Sequence, residues 1–151
     1  MNISIEIEAG DWSSIVDLEA ITRTAITAAL DPKDTRSIDV LYTDDNGIQV
    51  INQQWRNKNQ PTNVLSFPAA AQPVPDGEVA HLGDIVLGWE TILREAKETG
   101  KPLDQHITHL IIHGTLHLLG HDHAHEAEAD LMEALEIRIL AGLGIGSPYP
   151  S

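Results

Sequence analysis

Apolar and polar residues alternate at the start of the chain, with Ile3, Ile5 and Ile7 set against Ser4, Glu6 and Glu8. Strand side chains point alternately to opposite faces, so this run predicts a half-buried β-strand. The period then lengthens to that of a helix. Ser14 followed by Asp17 resembles a capping box and predicts a helix through about Leu30, with Ile15, Leu18, Ile26 and Ala29 for the core. Ser37 to Tyr42 reads as a second strand. Asp44 or Asp45 can cap a short helix carrying Ile48, Ile51 and Trp55 at core spacing. Val64 to Phe67 is a short strand bounded by Pro61 and Pro68, and Ala69 to Glu78, with Pro73 and Pro75, is a loop. Asp84 to Leu87 forms another strand, and a helix from Trp89 stops at Gly100 and Pro102. Asp104 caps a further helix whose apolar side is Ile107, Leu110, Ile111 and Leu118. The last helix runs from about His125 to Ala141, with Leu131, Met132, Leu135 and Ile139 facing inward. Four short strands mixed with about five helices predict an α+β fold with one small mixed sheet. Nothing divides residues 1–151, so a single domain is expected.

Composition narrows this picture modestly. The absence of cysteine excludes disulfides and thiolate metal sites. The N-terminal residues carry neither a basic start nor a long apolar run, and no segment approaches a membrane span. A cytoplasmic protein without a membrane partner is expected. The formal net charge of −14 argues against nucleic acid when taken whole. Its distribution weakens that argument. From Asp122 to Glu136 acids recur without lysine or arginine, which reads as the solvated side of a helix, whereas residues 46–75 hold no acid at all. Arg56 and Lys58 lie in that acid-free window, where a polyanion could approach one face.

The chemistry concentrates in His113-Gly114-Thr115-Leu116-His117-Leu118-Leu119-Gly120-His121-Asp122-His123. His113 and His117 are four apart, so on a helix their rings project from one face. Gly120 tolerates the left-handed conformation that ends helices and lets the backbone turn back. A third imidazole six residues after the second can then return to the same point. His121 competes for that place, but His123 is the preferred third ligand. His109, one turn before His113, could orient a ligand from behind, or it could be a buried histidine bonded to backbone. His81, His106 and His125 carry no assigned role.

Three neutral imidazoles suit one zinc ion per chain, with nickel or copper competent in vitro, and leave its fourth position open. Such an ion would polarise a phosphoryl or carbonyl oxygen. The spacing matches the metzincin protease pattern H-E-x-x-H-x-x-G-x-x-H, but Gly114 stands where that pattern has its glutamate base. A glycine cannot accept a proton, so a metallopeptidase would need another acid, such as Glu126 or Asp122, and becomes the lesser alternative.

Several separated stretches together resemble the YbeY family of bacterial rRNA-maturation endoribonucleases. His113-Gly114-x-x-His117-Leu118-x-Gly120-x-Asp122-His123 is similar to its H-G-x-L-H-L-x-G-x-D-H signature. Arg56-x-Lys58 followed by Pro61-Thr62-Asn63-Val64-Leu65-Ser66-Phe67-Pro68 is similar to a second, and Leu82-Gly83-Asp84-Ile85 to a third. Asn59 departs from the aspartate expected there. The resemblance implies a zinc-dependent endoribonuclease specific for single-stranded RNA, acting in 16S rRNA 3′-end maturation and late ribosome quality control. It implies zinc on His113, His117 and His123, with Arg56 and His113 as catalytic residues. The partners it implies are small-subunit rRNA, with ribosomal proteins or assembly GTPases. Arg56 suits phosphate because its planar guanidinium pairs with two oxygens at once. Lys58 would add a point charge, while Ser66 and Asp84 would shape the cleft floor. A non-catalytic assembly factor that uses the metal only to hold its fold is the further alternative.

Overall fold

The computed structural model describes residues 2–70 and 73–149, so residues 71–72 of the expected loop lie outside the described residues. Four strands, β1 (Ile3–Ile7), β2 (Ser37–Thr43), β3 (Val64–Pro68) and β4 (His81–Gly88), form one sheet in the order β1-β2-β4-β3. β1 pairs parallel with β2 and β2 parallel with β4, while β3 runs antiparallel along the outer edge of β4. The helices are α1 (Leu18–Ala29), α2 (Asp45–Arg56), α3 (Trp89–Thr99), α4 (Leu103–Leu118) and α5 (Glu126–Gly142). The mixed sheet and five helices are the α+β architecture that the hydrophobic pattern predicts.

Alternation along the strands divides the core between the two faces of the sheet. Ile38, Val40 and Tyr42 of β2 and Ile85 and Leu87 of β4 join the main core with residues of α1, α3, α4 and α5. Val86 and Leu65 point the other way and meet Ile48 of α2 in a smaller cluster. Trp12, in a short turn of 3-10 helix before α1, packs edge-on against Tyr42 and Trp89 with ring centroids 4.7 and 4.9 Å apart. Its indole N–H, which must find an acceptor when buried, donates to the Ala9 carbonyl at 2.8 Å.

The helix starts correct several sequence readings. Asp17, not Ser14, caps α1: its carboxylate accepts from the Ala20 N–H, while the Ser14 hydroxyl donates back to the Asp11 carbonyl. Asp44 caps α2 by accepting from the Gly47 N–H at 2.8 Å. α4 starts from Pro102, whose carbonyl takes the first ladder bond from His106 N–H, so Asp104 lies inside the first turn and is not the cap.

Two apolar residues assigned to the core are outside it. The buried residues of α2 are Ile48 and Asn52, and Trp55 lies off their line, 69% exposed. On α5 the stripe is Met132, Glu136 and Leu140, which turns Leu131 outward at 56% exposure.

Candidate active site

α4 carries His109, His113 and His117 on one stripe, each four residues from the next. After Leu118 the chain turns through Gly120, whose φ of +97° lies in the left-handed region open to glycine. The turn brings His123 back over the end of the helix. His113 Nε2 and His117 Nε2 stand 3.0 Å apart, and one ring nitrogen from each of His113, His117 and His123 lies within 4.8 Å of the others. The nitrogens of a tetrahedral zinc site are about 3.3 Å apart, given Zn–N bonds of ~2.0–2.1 Å, so the trio fits such an ion. Burial, with His113 and His123 alongside, lowers the pKa of His117 and favours the neutral imidazole that a metal requires. His121 lines the same cleft but does not belong to the trio.

The cleft has a volume of about 670 Å³ and is lined by Arg56, the first residues of β3 and Tyr149 as well as by the histidines. Arg56 is the last residue of α2, exposed, and without an ion-pair partner among the described residues. Asn57 ends the helix with a φ of +56°, and the Lys58 N–H and Asn52 side-chain amide fold the following loop back against α2. That turn leaves Arg56 at the cleft and Lys58 off its lining. Ser66 does shape the floor, donating at 2.9 Å to the Gly114 carbonyl. Asp84 does not: it lines a different cavity with Asp39 and Trp55. Asp39, His81 and Asp84 are themselves grouped closely enough for a metal ion, on partly exposed side chains.

Gly114 is explained by packing. A Cβ there would stand 3.0 Å from Ser66 Oγ and 3.2 Å from Ile85 Cγ2, because α4 lies directly on β3 and β4 at this point. Any larger residue would have to push Ser66 or Ile85 aside, so the helix–sheet contact disfavours a glutamate base at this position.

The sequence reading missed Glu136. It assigned the acids from Asp122 to Glu136 to a solvated face, yet Glu136 is 1% exposed. Its Oε1 accepts from His109 Nε2 at 2.7 Å and from His113 Nδ1 at 3.1 Å, and Tyr149 Oη donates to both carboxylate oxygens at 3.0 and 2.9 Å. Burial alone would raise its pKa; the hydrogen bonds from His109 and His113 outweigh that and bring it down to about 2. Burial and the Glu136 charge raise the Tyr149 phenol, which keeps its proton to donate. His109 thus acts toward His113 through a shared carboxylate and not through backbone. The missed signal was an acid inside an apolar arc, at i+4 from Met132 and i−4 from Leu140. His106 is likewise buried and bonds Glu95 at 3.0 Å, which also holds the Asn63 amide beside the cleft.

An α+β fold that presents three imidazoles and a guanidinium in one open cleft could hold a catalytic metal ion there. Comparison with known proteins makes this specific. Residues 4–144 match the family model described as Endoribonuclease YbeY. The Endoribonuclease YbeY of Chelativorans sp. (strain BNC1) is 49% identical, covering 97% of this chain and 92% of its own. That of Sinorhizobium medicae (strain WSM419) is 44% identical, covering 99% and 95%. The solution structure of TM1509 from Thermotoga maritima shares the fold, with a TM-score of 0.60 at 21% identity over 99% of each chain. The chain therefore belongs to the Endoribonuclease YbeY family.

Proposed function

We propose that this protein is a metal-dependent endoribonuclease that cuts single-stranded RNA, with zinc on His113, His117 and His123. The observation that carries the reading is that Arg56, without an ion-pair partner among the described residues, lines the same cleft as the three imidazoles. The matched family and the named relatives are endoribonucleases, which supports RNA as the substrate. Zinc bound to the trio supplies Lewis acidity toward a phosphoryl oxygen. His113 and His117 present neutral nitrogens from a rigid helix. Arg56 binds a phosphate group by its two-pronged face and stabilises charge developing on the phosphoryl oxygens. His113 contributes to catalysis in this scheme only through the metal it would bind, its Nδ1 being held by the carboxylate behind it. The open mouth accepts an extended strand, and the acid-free stretch around Arg56 removes repulsion from one wall. The cellular substrate we assign is 16S rRNA near its 3′ end, during maturation and late ribosome quality control in the cytoplasm, with ribosomal proteins or assembly GTPases as partners.

The test compares wild type, His117→Ala and Arg56→Ala for metal content and for cutting of a single-stranded RNA. His117→Ala should lose its zinc and its activity. Equal cutting by wild type and a metal-free His117→Ala would overturn the proposal.

A further inference from the structure

We infer that Glu136 is a positioning residue for the metal-binding trio. Its carboxylate holds the His113 ring with the proton on Nδ1 and the Nε2 lone pair directed at the point shared with His117 and His123. This rests on the metal-binding part of the function proposed above.

The argument begins from the cost of placing a carboxylate where Glu136 is. At 1% exposure it has no water to replace its hydration, so protein donors must do so. The donors are His109 Nε2, His113 Nδ1 and Tyr149 Oη, at 2.7 to 3.1 Å. An ionised carboxylate only accepts, so each ring nitrogen facing it must carry its proton. A neutral imidazole protonated on Nδ1 has an unprotonated Nε2, and in His113 that atom lies 3.0 Å from His117 Nε2. The bond on one side of the ring therefore decides which nitrogen is free on the other.

Glu136 reaches this place because α5 packs on α4 and its buried stripe passes from Met132 through Glu136 to Leu140. It approaches His113 from the side opposite His117, so it braces the ring and does not occupy the cleft. The hydrogen bond of 2.7 Å from His109 engages Oε1 further and keeps the carboxylate turned toward α4. Tyr149 holds both oxygens from the other side, and its segment of chain is tied down where Lys101 Nζ donates to the Pro148 carbonyl at 2.9 Å. The C-terminal residues thus contribute to a metal site whose ligands all lie before residue 124.

The test uses the full-length chain with 15N-labelled histidine. Long-range 1H–15N spectra of the metal-free protein report which nitrogen of each ring is protonated, and competition with a chelator of known affinity reports zinc binding. Wild-type His113 should show the Nδ1–H form. Glu136→Gln should show a mixture of forms and bind zinc about 10–100-fold more weakly. Tyr149→Phe, a partly exposed position whose loss leaves the fold intact, should keep the Nδ1–H form with a smaller loss of affinity. Should Glu136→Gln fail to fold, the wild-type spectrum and Tyr149→Phe decide. A wild-type His113 protonated on Nε2, or a folded Glu136→Gln that binds zinc like wild type, would overturn the positioning role. A wild type that holds the Nδ1–H form yet binds no zinc would support the bracing of the ring and overturn the metal-dependent function instead.

Discussion

His113 and Gly114 are each constrained from two directions. His113 faces the trio with Nε2 and Glu136 with Nδ1, so neither nitrogen is available for another task. Gly114 is held small by Ser66 and Ile85. Gly114→Glu should therefore destabilise the fold by about 1–3 kcal/mol through overpacking, and it should create no peptidase activity. Thermal unfolding and a peptide-cleavage assay check both halves; a Gly114→Glu protein as stable as wild type would contradict the packing account. The convergence of His113, His117 and His123 was legible in the sequence because i, i+4 spacing and a following glycine are local geometry. Glu136 was not, because its partners are contributed by another helix and by the C-terminal residues, and no local rule reports that.

At the scale of elements, α4 brings His113 and His117 to the cleft and α2 brings Arg56. Apolar periodicity revealed the existence and order of both helices, and the apolar side read for α4 is the one it buries. The errors fall on α2 and α5, where a small rotation about the helix axis leaves Trp55 and Leu131 outside the buried lines through Ile48 and Asn52 and through Met132 and Leu140. That rotation is set by packing on the sheet and on α4, which periodicity alone leaves undetermined. α2 depends on its Asp44 cap, whose loss leaves the Gly47 N–H without a partner. Asp44→Ala should lower stability by about 1 kcal/mol in a denaturant titration while leaving zinc content unchanged. A drop in zinc content at full stability would mean that α2 takes part in holding the metal.

Across the whole molecule, charge is partitioned. The chain carries −14 overall, yet the cleft that holds the imidazoles is lined by Arg56 and by residues 62–66 and 68 of its acid-free stretch. No helix among the described residues is long and apolar enough to cross a membrane. Because a metal that binds only the folded state stabilises it, zinc at 100 times its dissociation constant should add about 2.7 kcal/mol. A chelator should accordingly lower the melting temperature of wild type and leave that of His117→Ala unchanged. An equal shift in both proteins would place the metal elsewhere.

The central claim is that Arg56 and the histidine trio serve one reaction in the cleft they share. It is tested most directly by measuring single-stranded RNA cleavage by Arg56→Ala beside its zinc content and melting temperature. Arg56 is exposed, so zinc should stay stoichiometric and stability should stay within about 0.5 kcal/mol of wild type. Cleavage should fall by roughly 10²–10³-fold, the usual cost of losing one group that stabilises transition-state charge. An Arg56→Ala protein that holds its zinc and cuts RNA at the wild-type rate would contradict the account.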